Sequence, residues 1–193
     1  MIGYNLLGQL GQLGNQMFQL ASLRGIAANN GYNYCFPIHG NVFKDFLGNN
    51  LRIDIHNPFT LEGVNPLNVQ FIDQDRPVVN EDSYYFNENL FNDCPDWVSL
   101  QGFFQSEKYF LNIEDNIRSM FTFKPSILEP CKEMAETVEN PVSLHIRRGD
   151  YLTNHANHNN LGLDYYAKAL DHFKGRNVII FSDDSSWCKQ QEL

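Results

Sequence analysis

Two spacings of apolar residues run along the chain, and the change from one to the other marks its elements. Ile2 to Leu7 is a short apolar run followed by three glycines, Gly8, Gly11 and Gly14. From Asn15 to Asn29 the apolar positions Met17, Leu20, Ala21, Leu23, Ala27 and Ala28 recur at helical spacing, and Gly31 stands where a C-terminal cap belongs. Tyr32 to Phe36 is aromatic-rich and ends at Pro37, as a strand would. This is a strand, a Gly-rich turn, a helix and a strand, a unit that implies a parallel sheet.

From Gly40 to Asp96 the pattern breaks into short apolar runs among Asn, Pro, Phe and Asp, which predicts irregular loops and short strands. Order returns with a strand at Trp97 to Leu100. Ser106 could cap a turn through Tyr109 and Phe110, and Ile113, Ile117, Met120 and Phe121 share one helical face. A helix is expected from Ser126 to Val138, with Pro130 early in it and Asn140-Pro141 as its break. Val142 to Ile146 reads as a strand, then comes a polar loop from Arg147 to Asn160. Asp164 could cap a helix from Tyr165 to Lys174, whose face is Tyr166, Leu170 and Phe173, with Gly175 as its stop. Val178 to Phe181 is the next strand, and Ser185 could cap a last short helix. The pattern therefore predicts an α/β protein with one lobe at residues 1–140 and the beginning of a second at 141–193.

Composition narrows the function. The 193 residues carry 14 Lys+Arg against 23 Asp+Glu, a formal net charge of -9. Nucleic-acid-binding domains are usually basic, so that class is disfavoured. With 42% hydrophobic and 13% aromatic residues, wholesale disorder is excluded. No apolar run approaches the roughly 18 residues of a membrane helix, and the N-terminus lacks a signal-peptide pattern. Cys35, Cys94, Cys131 and Cys188 form no CxxC pair, and there is no Asn-x-Ser/Thr sequon. Free thiols in a cytoplasmic protein are the expectation.

An acidic protein that binds an anion must do so with a few focused cations. The one adjacent basic pair, Arg147-Arg148, lies in His145-Ile146-Arg147-Arg148-Gly149-Asp150-Tyr151 at the carboxyl end of an expected parallel strand. Open α/β sheets bind ligands there, and a guanidinium fork suits phosphate. The same residues also suit a surface salt-bridge cluster, and Arg-Gly-Asp alone would suit an adhesion tripeptide. Gly11-Gln12-Leu13-Gly14-Asn15-Gln16 matches neither the dinucleotide fingerprint nor a P-loop. It is a glycine turn opening a helix, where backbone N–H groups and the Asn15 and Gln16 amides could meet phosphate or sugar oxygens, or simply cap the helix. Asp183-Asp184 after a strand could accept from a guanine edge, bind a metal, or serve a helix N-terminus. Asp73-Gln74-Asp75 after Val69 to Ile72 could hold a divalent metal beneath a nucleotide sugar, but DxD arises often by chance and a solvated turn is the favoured reading. His155 and His158 lie in the polar loop, and no metal-ligand spacing is present among the six histidines.

The stretch Gly11 to Gln19 resembles the N-terminal signature of the family 11 glycosyltransferases, the α-1,2-fucosyltransferases of bacteria and their relatives. Gly102 to Phe110 looks like a second family stretch. Val142 to Leu152 is similar to the HxRRGDY motif of the wider GDP-fucose transferase superfamily, and Phe181 to Asp184 with Trp187-Cys188 resembles a fourth. The resemblance implies a GT-B architecture of two Rossmann-like lobes. It implies inverting, metal-independent transfer of L-fucose from GDP-fucose to a galactose hydroxyl of a glycan, in α-1,2 linkage. By that analogy Arg147 neutralises the β-phosphate of the departing GDP and Arg148 assists. His145 and Asp150 contact the nucleotide or hold the loop, and Asp183 reads the guanine. Gly14, Asn15 and Gln16 belong to the donor-binding set, facing the cleft from the N-terminal lobe. Family members continue past Cys188 with a segment that completes the donor pocket. The chain is therefore expected to be C-terminally truncated, and either self-associating, completed by a partner, or a non-catalytic nucleotide- or glycan-binding module.

Overall fold

A computed structural model describes residues 1–45, 48–154 and 158–192. It divides into two compact units, Met1–Ile127 and Leu128–Leu193.

In the first unit, strand β1 (Ile2–Gly3) is followed by helix α1 (Leu13–Asn29) and strand β2 (Tyr34–Cys35). A separate antiparallel pair, β3 (Phe43–Lys44) with β4 (Asn50–Leu51), sets Phe43 against Leu51. Then come β5 (Val78–Asn80), α2 (Glu88–Asn92), β6 (Val98–Gln101) and α3 (Glu114–Met120), with 3-10 turns at Pro66–Asn68, Glu107–Tyr109 and Leu111–Ile113. The main sheet has the order β2-β1-β6-β5, and every pairing in it is parallel. The expected α/β unit with a parallel sheet of Rossmann-like character is present.

The differences from the sequence reading have local causes. The run Ile2 to Leu7 supplies only two strand residues. Beyond Tyr4, which still donates from its N–H to the Cys35 carbonyl (3.1 Å), the chain turns, and Gly8 adopts φ +79° with no room for a Cβ against Ile53. Helix α1 begins at Leu13 rather than Asn15, after a Gln12 that makes no side-chain cap. Val69 to Ile72 is not a strand; only Val69 bridges, to Phe36. Asp73-Gln74-Asp75 is an exposed turn in which the Asp75 N–H donates to Asp73 Oδ1 (3.3 Å), as the solvated-turn reading has it.

Helix α1 is the hinge of this unit's packing. Gln19, Leu20, Ala21, Ser22 and Leu23 are consecutive and all buried. An amphipathic surface helix cannot do that; α1 is covered on most sides. At Gly25 the helix backbone meets that of Tyr109 so closely that a Cβ would run into the Tyr109 carbonyl. Ile2, Tyr4, Leu23, Phe36, Leu100 and Phe104 pack with it in the core.

Gln16 is completely buried. Its Nε2 donates to the Arg52 carbonyl (2.8 Å), and its Oε1 accepts from the N–H groups of Asp54 (2.8 Å) and Ile55 (3.1 Å). It clamps the 52–55 segment to the helix. Gly14 is exposed, and a Cβ there would meet nothing within 4 Å.

The second unit holds most of helix α4 (Pro125–Glu136), strand β7 (Pro141–Ile146), helix α5 (Leu163–Leu170), strand β8 (Asn177–Ser182) and helix α6 (Ser185–Cys188). Strands β7 and β8 pair in parallel from Pro141↔Asn177 to Ile146↔Ser182. Helix α5 continues as a 3-10 turn, Asp171–Phe173, and ends near Gly175 at φ +79°. Its N-cap is Gly162 and not Asp164, and the cap of α6 is Asp184 and not Ser185. Among the described residues of this unit only Ile146 and Tyr166 are buried apolar side chains.

Two substitutions test the packing of α1. Gly25→Ala should destabilise by about 1–3 kcal/mol, because the helix must back away from Tyr109. Gln16→Ala should destabilise by about 1–3 kcal/mol by leaving the N–H groups of Asp54 and Ile55 without their acceptor. Urea unfolding measures both.

Candidate functional site

The parallel register places Ile146 beside Ser182, so the residues beyond each strand emerge side by side. Arg147 and Arg148 leave β7, and Asp183 and Asp184 leave β8. The Asp183 carboxylate spans the gap. Its Oδ1 accepts from the Arg148 backbone N–H (2.8 Å), and its Oδ2 lies 3.1 Å from Arg147 Nε. A Cβ on Gly149 would come within 2.5 Å of that Oδ2 and push the carboxylate out of its bridge.

Arg147 is held from a second side. Its Nη2 and Nε donate to Asp150 Oδ1 (2.7 and 3.2 Å), and its guanidinium lies over the Tyr151 ring, 5.2 Å from the centroid. The Asp150 hydrogen bond raises the Arg147 pKa above its ordinary value against the opposing effect of burial, which keeps the cation charged throughout the accessible pH range. Arg148 donates from Nε to Asp184 Oδ2 (3.2 Å) and lies 3.7 Å from the Trp187 centroid. Asp184 Oδ1 in turn accepts from the Trp187 N–H (3.0 Å), so one carboxylate both caps α6 and orients Arg148. Two arginines thus sit among three carboxylates. Among the described residues, Nη1 of Arg147 and both Nη atoms of Arg148 donate no hydrogen bond and keep their capacity for a ligand.

An open cavity of about 270 Å³ adjoins Arg147 and is lined by His145, Arg147, Tyr151, Asn159, Leu161 and Tyr166. His145 is exposed at its rim. The Tyr151 and His158 rings stack at 4.0 Å between centroids and 2° between planes. Asn160 donates to the Tyr151 carbonyl (2.9 Å), while its Oδ1 is buried and unpartnered. His155, the other histidine of the polar loop, lies outside the described residues. Tyr151 and Trp187 stand inside stretches that the sequence marked. Asn159, Leu161 and Tyr166 carry no local signal, since only the fold brings them to the strand end.

The structure therefore assembles Arg147, Arg148, His145, Asp150 and Asp183 at one strand end. It keeps Gly14, Asn15 and Gln16 in the other unit. There Asn15 packs against Gly11, and its Oδ1 accepts from Gln105 Nε2 (2.6 Å). Asp183, assigned to guanine by the sequence resemblance, is engaged at both oxygens.

Comparison with known proteins identifies the family. The family described as glycosyl transferase family 11 matches residues 3–192. The chain is 29% identical to an alpha-1,2-colitosyltransferase of Escherichia coli, over 93% of this chain and 69% of that protein. It is 35% identical to the O-antigen biosynthesis glycosyltransferase WbnK of Escherichia coli, over 55% of this chain and 39% of that protein. It is 24% identical to galactoside alpha-(1,2)-fucosyltransferase 1 of Bos taurus, over 93% of this chain and 51% of that protein. It thus spans only part of the length of each. No solved structure gives a significant match. With the match running through both units, the chain belongs to glycosyl transferase family 11.

Proposed function

We propose that the chain takes part in transferring L-fucose, or a closely similar deoxy sugar, from a GDP-linked donor to a galactose hydroxyl of a glycan, forming an α-1,2 linkage with inversion. The observation that carries the reading is the arginine pair at the carboxyl end of β7, framed by carboxylates and bordered by a cavity. Family membership and the names of the relatives agree with it. In this reading the architecture is GT-B. The first unit is the acceptor-side lobe, and the second opens the donor-side lobe.

The chemistry is governed by charge. The acceptor oxygen forms a bond to the anomeric carbon as the bond from that carbon to the β-phosphate oxygen breaks. The departing GDP gathers negative charge, and the acceptor hydroxyl gives up its proton. Preorganised cations aimed at the developing charge are usually the largest catalytic contribution. Arg147 fills that role and Arg148 assists. Asp150 and Asp183 hold Arg147 in place, so Asp183 is a positioning residue before it is a guanine contact. His145, at the cavity rim, meets the nucleotide. Two guanidinia supply the countercharge, and the transfer then needs no bound metal.

Arg147→Ala should weaken GDP binding by about a hundredfold or more in isothermal titration calorimetry, the scale of losing one partner of a charged contact. Unchanged affinity would remove Arg147 from the site. Donor turnover should persist in EDTA; its loss would return the DxD at Asp73 and Asp75 to contention. Tight GDP binding with no turnover would instead mark a binding module.

A further inference from the structure

We infer that Tyr84 and Phe103, at the carboxyl edge of the first unit's sheet, form a stacking platform for a sugar ring of the acceptor glycan. The inference rests on the proposed glycan acceptor and names residues for it.

Strands β5 and β6 run parallel, and their carboxyl ends at Asn80 and Gln101 are adjacent in register. Strand β5 leads into Glu81-Asp82-Ser83-Tyr84-Tyr85, and β6 leads into Gly102-Phe103-Phe104-Gln105. The two segments are fastened together by Glu81. Its Oε2 accepts from the N–H groups of both Phe103 (2.8 Å) and Phe104 (2.9 Å). Gly102 lies so close to Glu81 that a Cβ would collide with its side chain. Phe104 takes the left-handed conformation, φ +52°, which a bulky residue adopts only when its surroundings enforce it. Burial of its ring and a hydrogen bond from Ser22 Oγ to its carbonyl (3.2 Å) do so.

The result of that fastening is the placement of Phe103. Its ring stacks with Tyr84, with 6.1 Å between centroids and 28° between planes. Tyr84 is 72% exposed and its neighbour Tyr85 83% exposed. Single exposed aromatics are ordinary, but a stacked pair on a pinned, strained turn at a parallel-sheet edge is a presented surface. Asp82, two positions before Tyr84 in the same segment, is exposed. An exposed aromatic face with a carboxylate close by in the chain suits a sugar: the C–H side packs on the ring, and the hydroxyls donate to the carboxylate. Two rings are far too small an area for a protein interface.

The test uses lactose as a galactose-terminated probe and GDP as a separate probe, each titrated by NMR into the wild-type chain, Tyr84→Ala and Tyr84→Phe. Circular dichroism melts check that the exposed substitutions leave folding intact. Tyr84→Ala should weaken lactose binding about tenfold, and Tyr84→Phe, which keeps the ring, should bind within about twofold of wild type. GDP affinity should be the same in all three. Wild-type lactose binding that survives Tyr84→Ala, or no lactose binding to a chain that binds GDP, overturns the platform while leaving the donor site standing. Absence of GDP binding with a Tyr84-dependent lactose response overturns the donor assignment and keeps the platform.

Discussion

The candidate site depends on one backbone constraint, the parallel register that sets Ile146 opposite Ser182. Parallel strands carry their carboxyl ends to the same edge, so Arg147 and Asp183 emerge as neighbours although 35 positions separate Arg148 from Asp183 along the chain. A shift of one residue would turn every side chain of β8 to the opposite face and break the Asp183 bridge. The helix α5 crossover that makes a parallel pairing feasible is thus a condition of the site as well as of the fold.

The arginines are only partly exposed, 37% for the Arg147 side chain and 22% for Arg148. Ion pairs at such positions contribute little to stability. Their value lies in orientation. Asp150, Asp183 and Asp184 hold each guanidinium in one direction, with Tyr151 and Trp187 against the guanidinium planes. In a chain of net charge -9, long-range attraction cannot gather an anionic ligand. An anionic ligand of the proposed kind would be held by a short-range, preoriented cation, whose planar fork lysine could not reproduce.

The first unit solves a different problem. Helix α1 is buried on most sides, so its polar side chains turn inward for partners, and among them the Gln19 Oε1 atom is left without one. Gln16 clamps the 52–55 segment, and Gln19 Nε2 donates to the carbonyls of Leu10 (2.8 Å) and Gly102 (3.2 Å). The amides beside the glycine turn therefore build the scaffold that carries the 102–105 segment. Asn15 holds Gln105 from the same end.

Sequence alone determined the α/β alternation, the positions of α1, β2, β6, β7 and β8 to within a few residues, and the concentration of cationic charge at Arg147-Arg148. Those features are local: apolar period, glycine at turns, and the adjacency of two basic residues. The family was legible for the same reason, since its marks are short contiguous stretches. Tertiary structure decided what neighbours do. Gln16 and Asn15 look alike in sequence, yet one is sealed in the core and the other sits beneath Gln105. Asp183 and Asp184 are adjacent, yet one bridges two strands and the other caps a helix and holds Arg148. Among the short elements between Gly40 and Asp96, Val78 to Asn80 owes its form to pairing with the later strand β6. Hydrogen bonding and burial between residues far apart in the chain settle these roles, and no local pattern encodes them.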